Sequence, residues 1–194
     1  MPPILWYNIV KLCLFWVMLH FYRKKVILII ILGLDPGYAI VGFGVLSYNA
    51  NRFKVLEYGA ITTDKDTPFP KRLEEIYDGM NYLLEKYQPA AMSVEKLFFN
   101  TNSTTAISVA QARGVCVLSA FKHNVEIAEY TPLQVKMAVT GYGRAEKRQI
   151  MEMTKTLLNL KEMPKPDDAA DALAMAICHA HTSGSLSYKL DKLI

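Results

Sequence analysis

The stretch VILIIILGLDPG, residues 26–37, decides the fold. Seven aliphatic residues at 26–32, then Gly33 and Leu34, read as a strand covered on both faces, the central strand of a sheet. Pro36 fixes φ and Gly37 supplies the freedom a turn needs, so the chain reverses directly after Asp35 and leaves that carboxylate at the strand's end. A lone carboxylate in the middle of a core sheet costs several kcal/mol unless it takes up a proton or finds a cation or donor. The plainer alternative is an aspartate that only caps a turn.

Working outward, 194 residues suit one well-buried domain. We divide them into an N-terminal extension at 1–25, a domain at 26–182 and a C-terminal tail at 183–194. The formal charge of +4 is accounted for by Lys11, Arg23, Lys24 and Lys25, which leaves 18 bases against 18 acids from Val26 onward. A nucleic-acid partner must therefore be argued from where the charges sit. Cys13, Cys116 and Cys178 are too few and too scattered for a disulfide framework or a zinc site, and they suit a reducing cytoplasm.

Residues 4–22 are mostly apolar and rich in aromatics, and Arg23, Lys24 and Lys25 follow them. The segment is a mis-assigned start or disordered extension, a membrane anchor, or a helix packed on the domain. Lys11 near its middle argues against an anchor, where a lysine costs roughly 2.5 to 3.5 kcal/mol. It also lacks the charged start and small-residue cleavage site of a signal peptide. We expect the extension, and with it a cytoplasmic protein without stable membrane association. No methionine lies between Met18 and Asp35, so a shorter product would initiate at a non-ATG codon, for instance at Val26 or Leu28.

Residues 41–47 and 52–62 read as two more strands joined by a hairpin loop, giving three antiparallel strands at the start. Gly42 and Gly44 leave bare backbone close to Asp35, where a substrate backbone would approach. Leu73, Ile76, Tyr77, Met80, Leu83, Leu84 and Tyr87 fall on one face of a helix that Pro89 stops. The fourth strand, 90–95, also ends in a carboxylate, Glu95, and parallel strands gather sites at one edge. The helix that follows, to about His123, carries small and aliphatic residues on more than one face, as if covered by the core and by another subunit. A fifth strand is expected at 125–130, a helical turn at 132–138, a basic-faced helix at 145–160 and a last helix from Asp167 to about His181.

That last helix begins DDAADALAMAICHAH, and Asp168 and Asp171, three apart, project from one face of its first turn. Alone, they would be a helix cap and a solvated acid. With Asp35 and Glu95 they make four carboxylates in one cleft, which repel each other by several kcal/mol unless divalent metal holds them. Oxygen-only ligands favour Mg²⁺, with Mn²⁺ as a substitute, and a pair of such ions activates water and stabilises the leaving oxygen of a phosphodiester.

The chain resembles the RuvC family of Holliday-junction resolvases, endonucleases with an RNase H-like fold. The matching pieces are ILGLDPGYAIVGFGV at 31–45, SVEKLFF at 93–99, AQARGV at 110–115, YTPLQVKMAVTGYGRAEKRQI at 130–150 and DDAADALAMAICHAH at 167–181. The resemblance implies an α/β fold with a five-stranded mixed sheet flanked by helices on both faces. It assigns catalysis and metal binding to Asp35, Glu95, Asp168 and Asp171, with two Mg²⁺ per site, and implies a homodimer that cuts two opposed strands of a four-way DNA junction in recombination and repair. It also implies a branch-migration motor as partner. The N-terminal extension departs from the family, whose chains begin almost at the first strand.

Lys136 and Lys147 match lysines that the family places beside the cleft. Residues 136–155 hold five bases, Lys136, Arg144, Lys147, Arg148 and Lys155, against Glu146 and Glu152, and form the candidate phosphate track. Phe98, more than Phe99, is the candidate to stack on or wedge between bases. Arg113 could pair with an acid across a dimer or contact phosphate, and His179 and His181 read as structural or surface residues. Rival functions are a junction-binding module of the same fold that does not cut, an actin-like ATPase, for which one domain is too few, and a membrane-bound interaction protein using residues 4–22.

Overall fold

The structure, a computed structural model, describes residues 28–49, 51–96 and 103–190. The extension at 1–25 and Phe98 lie outside the described residues. Five strands, β1 (Ile29–Pro36), β2 (Ile40–Asn49), β3 (Arg52–Thr62), β4 (Ala91–Glu95) and β5 (Glu126–Tyr130), form one sheet in the order β3-β2-β1-β4-β5. β1 is central, antiparallel to β2 and parallel to β4; β2–β3 is antiparallel and β4–β5 parallel. The described helices are α1 (Phe69–Tyr87), α2 (Ser103–Lys122), α3 (Pro132–Thr140), α4 (Lys147–Leu157) and α5 (Asp167–Leu190).

Side-chain alternation sorts β1 and β4 between two cores. Leu32, Leu34, Met92 and Val94 join Ile76, Met80 and Leu84 of α1 and Ala112, Cys116 and Ala120 of α2. Ile31 faces the other way, with Leu173, Ala174 and Ile177 of α5. Asp35 shares the parity of Ile31, and Glu95 that of Ser93, so both acids turn to the α5 side. Because the β1–β4 register runs Gly33 to Ser93 and Leu34 to Val94, the next residues along each strand are Asp35 and Glu95.

The α5 side is unusually close. A β-carbon at Gly33 would lie 1.9 Å from the Ala172 carbonyl oxygen, one at Gly42 2.1 Å from that of Asp168, and one at Gly44 2.7 Å from Leu173 Cδ2. The expectation that Gly42 and Gly44 admit a substrate backbone is thus corrected, since the backbone that fills this space belongs to α5. α5 also continues to Leu190, past His181 and into the segment expected to be a tail. No proline follows Pro166, and the single Gly184 costs a helix only about 1 kcal/mol.

α2 is buried by the core on one side, and the side expected against another subunit is exposed in the single chain. Ala112, Cys116 and Ala120 are buried, whereas Ile107, Leu118 and Phe121 are 63%, 54% and 73% exposed. These three and Gly114 recur at helical spacing along one face. Among the described residues no helix is long and apolar enough to cross a membrane.

Gly42→Ala is expected to push α5 off the sheet and lower stability by about 1 to 3 kcal/mol, the usual range for overpacking. Urea unfolding reads this directly. A variant with the parental midpoint would mean that the helix tolerates a wider spacing.

Candidate active site

At the edge where β1 and β4 end, a cavity of about 110 Å³ is lined by Asp35, Glu95, Asp171 and Lys136, with walls of Pro132, Val135, Ile150 and Met175. Three of the four expected acids and one expected lysine therefore meet in one place. Asp168 is not among the lining residues. Its carbonyl packs over Gly42, and its charge still bears on Asp35.

The apolar walls decide the electrostatics. Burial first, then the charges of Asp171, Asp168 and Glu95, push the Asp35 carboxyl up from 3.8 to about 7, with Lys147 pulling the other way. Burial and Asp171 likewise raise Glu95. Asp35 is thus no ordinary turn cap, because a solvated cap would have no reason to resist ionisation.

Lys147 opens α4 with Nζ 3.1 Å from an Asp171 carboxylate oxygen and 3.5 Å from one of Asp167. The pairing with Asp171 comes first among the causes that raise the Lys147 ammonium. Lys136 is held by a well-capped α3: the Gln134 N–H donates to Thr131 Oγ1 at 3.2 Å, and Thr131 N–H donates to Gln134 Oε1 at 2.8 Å. Arg144 and Arg148 lie on the exposed surface beyond the cavity, and Arg148 Nε approaches Glu152 at 3.7 Å. An exposed pair of that kind contributes little to stability and leaves the guanidinium open to other anions.

Two arginines support the acids from behind, and the pattern of the sequence did not single out either role. Arg72 of α1 is only 7% exposed. Its Nε donates to Thr63 Oγ1 at 2.8 Å, its Nη2 to the Tyr38 carbonyl at 3.2 Å, and the guanidinium lies 4.7 Å from the Tyr38 ring centre. It thereby clamps the turn that follows Asp35. Arg113 of α2 donates to the Glu95 carbonyl and pairs with Glu129 within the same chain. The apolar wall was missed too, since Val135, Ile150 and Met175 are indistinguishable in sequence from other core positions.

His179 and His181 are structural, as expected. His179 Nδ1 lies 2.9 Å from the buried Tyr130 hydroxyl, and His181 Nδ1 donates to the Ala138 carbonyl at 2.9 Å. Cys116 and Cys178 are free and buried.

Among the described residues, no three His, Cys, Asp or Glu side chains stand close enough together to ligate one ion as placed. The donor set still fits a hard divalent cation: the acids are all oxygen donors, partly buried, and their charged forms repel one another. A cation would relieve the charge that burial now suppresses.

The family model described as crossover junction endodeoxyribonuclease RuvC matches residues 31–179. The chain belongs to the RuvC family. A RuvC of Alkaliphilus oremlandii is 61% identical over 153 residues, covering 79% of this chain and 93% of its own. One from Desulforamulus reducens is 52% identical over 161 residues, covering 83% and 99%. Among solved structures, T. thermophilus RuvC in complex with Holliday junction substrate aligns with a TM-score of 0.78 and 32% identity, over 82% of this chain and 97% of that one. The RuvC match contains Asp35, Glu95, Asp168 and Asp171 and leaves the first 30 residues outside it.

The raised Asp35 carboxyl fixes a sign for this RuvC chain. Its folded value, about 7, exceeds the ordinary 3.8, so the folded state holds a proton that the unfolded state has released. The contribution of Asp35 to metal-free stability is expected to be full below about pH 4, to fall as pH rises towards 7 and to level off above it. Asp35→Asn should remove most of that slope and stabilise the metal-free protein at pH 8 by on the order of 3 kcal/mol. Urea unfolding in EDTA at pH 5 and pH 8 checks this; equal slopes in parent and variant would contradict it.

Proposed function

We propose that this chain is a metal-dependent Holliday-junction resolvase that hydrolyses two opposed strands of a four-way DNA junction. The observation that carries the reading is the meeting of Asp35, Glu95 and Asp171 with Lys136 in one cavity, with Asp168 beside Asp35. Mg²⁺ is the proposed cofactor, two ions per site with Mn²⁺ as substitute, and when bound it supplies an activated water and charge stabilisation at the phosphate. Asp35, Glu95, Asp168 and Asp171 are the proposed ligands and catalytic acids.

The remaining roles belong to the chain's own cations. Lys147 holds Asp171 when no phosphate is present and has charge to offer one that enters. Lys136, on the cavity wall, steadies the same phosphate from the α3 side. Arg144 and Arg148 extend a track for the neighbouring backbone, where each contact adds affinity without reading sequence. Phe98 is proposed as the base-stacking wedge on the strength of its place after Glu95 in the sequence.

The proposed homodimer rests on the exposed face of α2. Ile107, Leu118 and Phe121 flank Gly114, where a β-carbon would meet nothing within 4 Å, so a second copy could approach the helix closely. A symmetric pair of sites suits the two cuts a junction needs. The branch-migration motor and the cytoplasmic location are carried by the family resemblance.

Asp35→Asn, Glu95→Gln, Asp168→Asn and Asp171→Asn should each reduce cleavage of a labelled four-way junction by at least about 10³-fold while junction binding in EDTA persists. A variant that cuts at the parental rate would remove that residue from the assignment. If the parental protein binds junctions tightly and never cuts them with Mg²⁺, the non-cutting module of the same fold is the better description. Leu118→Asp is expected to turn a dimer into a monomer by analytical ultracentrifugation, and an unchanged mass would place the interface elsewhere.

A further inference from the structure

We infer that Arg113 is a positioning residue for Glu95, tying the end of β4 to β5 so that the Glu95 carboxylate stays fixed at the cavity. The inference rests on the nuclease reading above and adds to it a residue that touches neither DNA nor metal. The β1–β4 ladder ends at the Leu34–Val94 pair, so Glu95 is the first residue of β4 that β1 does not hold. On the other side β5 pairs with it, Val94 opposite Glu129 and Glu95 opposite Tyr130, and the Lys96 N–H donates to the Tyr130 carbonyl at 2.8 Å. Arg113 completes this one-sided support. Its Nε donates to the Glu95 carbonyl at 3.3 Å, and its Nη2 makes an ion pair and hydrogen bond with Glu129.

The geometry separates this role from both alternatives that the sequence left open. The side chain of Arg113 is only 14% exposed, so it offers little to a phosphate. Its charge is met by Glu129 of its own chain, so no acid across a dimer is required. It also acts from behind: α2 packs on the face lined by Met92 and Val94, whereas the Glu95 side chain opens on the opposite face. Arg113 therefore grips the backbone of Glu95 without competing for its carboxylate. A planar guanidinium holds two acceptors in one rigid arrangement, which an ammonium cannot reproduce. Misplacing a reacting group by about 1 Å can lower a rate by 10²-fold.

The test uses the full chain as Arg113→Gln, Arg113→Lys and Glu129→Gln. Three quantities are read for each: Mn²⁺ affinity by calorimetry, the Mg²⁺ dependence of junction cleavage, and junction binding in EDTA. For Arg113→Gln we expect Mn²⁺ affinity to fall about tenfold, as is usual when support behind a metal ligand is removed. The Mg²⁺ needed for half-maximal cleavage should rise by a similar factor, with junction binding within about twofold of the parent. Arg113→Lys should recover part of the loss, and Glu129→Gln should shift both metal readings in the same direction by less. A folded Arg113→Gln protein with parental Mn²⁺ affinity and Mg²⁺ dependence overturns the inference. So does weakened junction binding with unchanged metal affinity, which would make Arg113 a DNA contact. If Arg113→Gln does not fold, Glu129→Gln decides, because Glu129 is 45% exposed and its loss leaves the core intact. A parental protein that binds Mn²⁺ without cutting would count against the nuclease reading alone, since the affinity difference between parent and variant would still decide the role of Arg113.

Discussion

The contact on which everything else depends is backbone against backbone. α5 lies so close over β1 and β2 that Gly33, Gly42 and Gly44 leave no room for a β-carbon. Side chains normally hold a helix about 10 Å above a sheet, the distance at which two packed layers sit. Bare backbone at three points lets the start of α5 drop towards the strand ends, and only then do Asp168 and Asp171 come within electrostatic reach of Asp35. Packing and chemistry are the same feature here.

That closeness has an electrostatic consequence that the fold tolerates rather than removes. Val135, Ile150 and Met175 wall the cavity with apolar surface, three acids line it, and the Asp35 carboxyl responds by resisting ionisation. Lys147 offsets part of the repulsion from the α4 side. Arg72 and Arg113 act from the far side of the sheet, Arg72 on the Tyr38 carbonyl in the turn after Asp35 and Arg113 on the Glu95 carbonyl. The acids are therefore fixed by cations that do not neutralise them, which leaves their oxygens available to a divalent ion.

Much of this was legible from residue pattern. The short aliphatic run ending in Asp35 marks a central strand because it lacks polar alternation, is rich in β-branched residues and is stopped by Pro36 and Gly37. The repeat of that logic at Glu95, and the three-residue spacing of Asp168 and Asp171, locate acids at one edge. The role of Gly42 and Gly44 was not legible, because glycine in a strand announces a close approach without saying what approaches. Nor was the partner of Arg113, since Glu129 lies in an unremarkable β5 and only the parallel register brings it alongside β4. The helix-terminal error at His181 has a similar cause: no stop signal stands there, and a weak breaker such as Gly184 does not supply one. The exposed face of α2 was half legible, its apolar richness plain and its direction not.

The order of the elements along the chain has a further consequence. Asp35 and Glu95 belong to the first and fourth strands, whereas Asp168 and Asp171 arrive on α5, after every strand of the sheet has been made. During synthesis the strands precede the element that completes the acid cluster, and a domain generally folds as a unit rather than piece by piece. A chain without α5 would therefore lack half of its four acids and, with them, the layer that covers Ile31 and Leu46 on one face of the sheet.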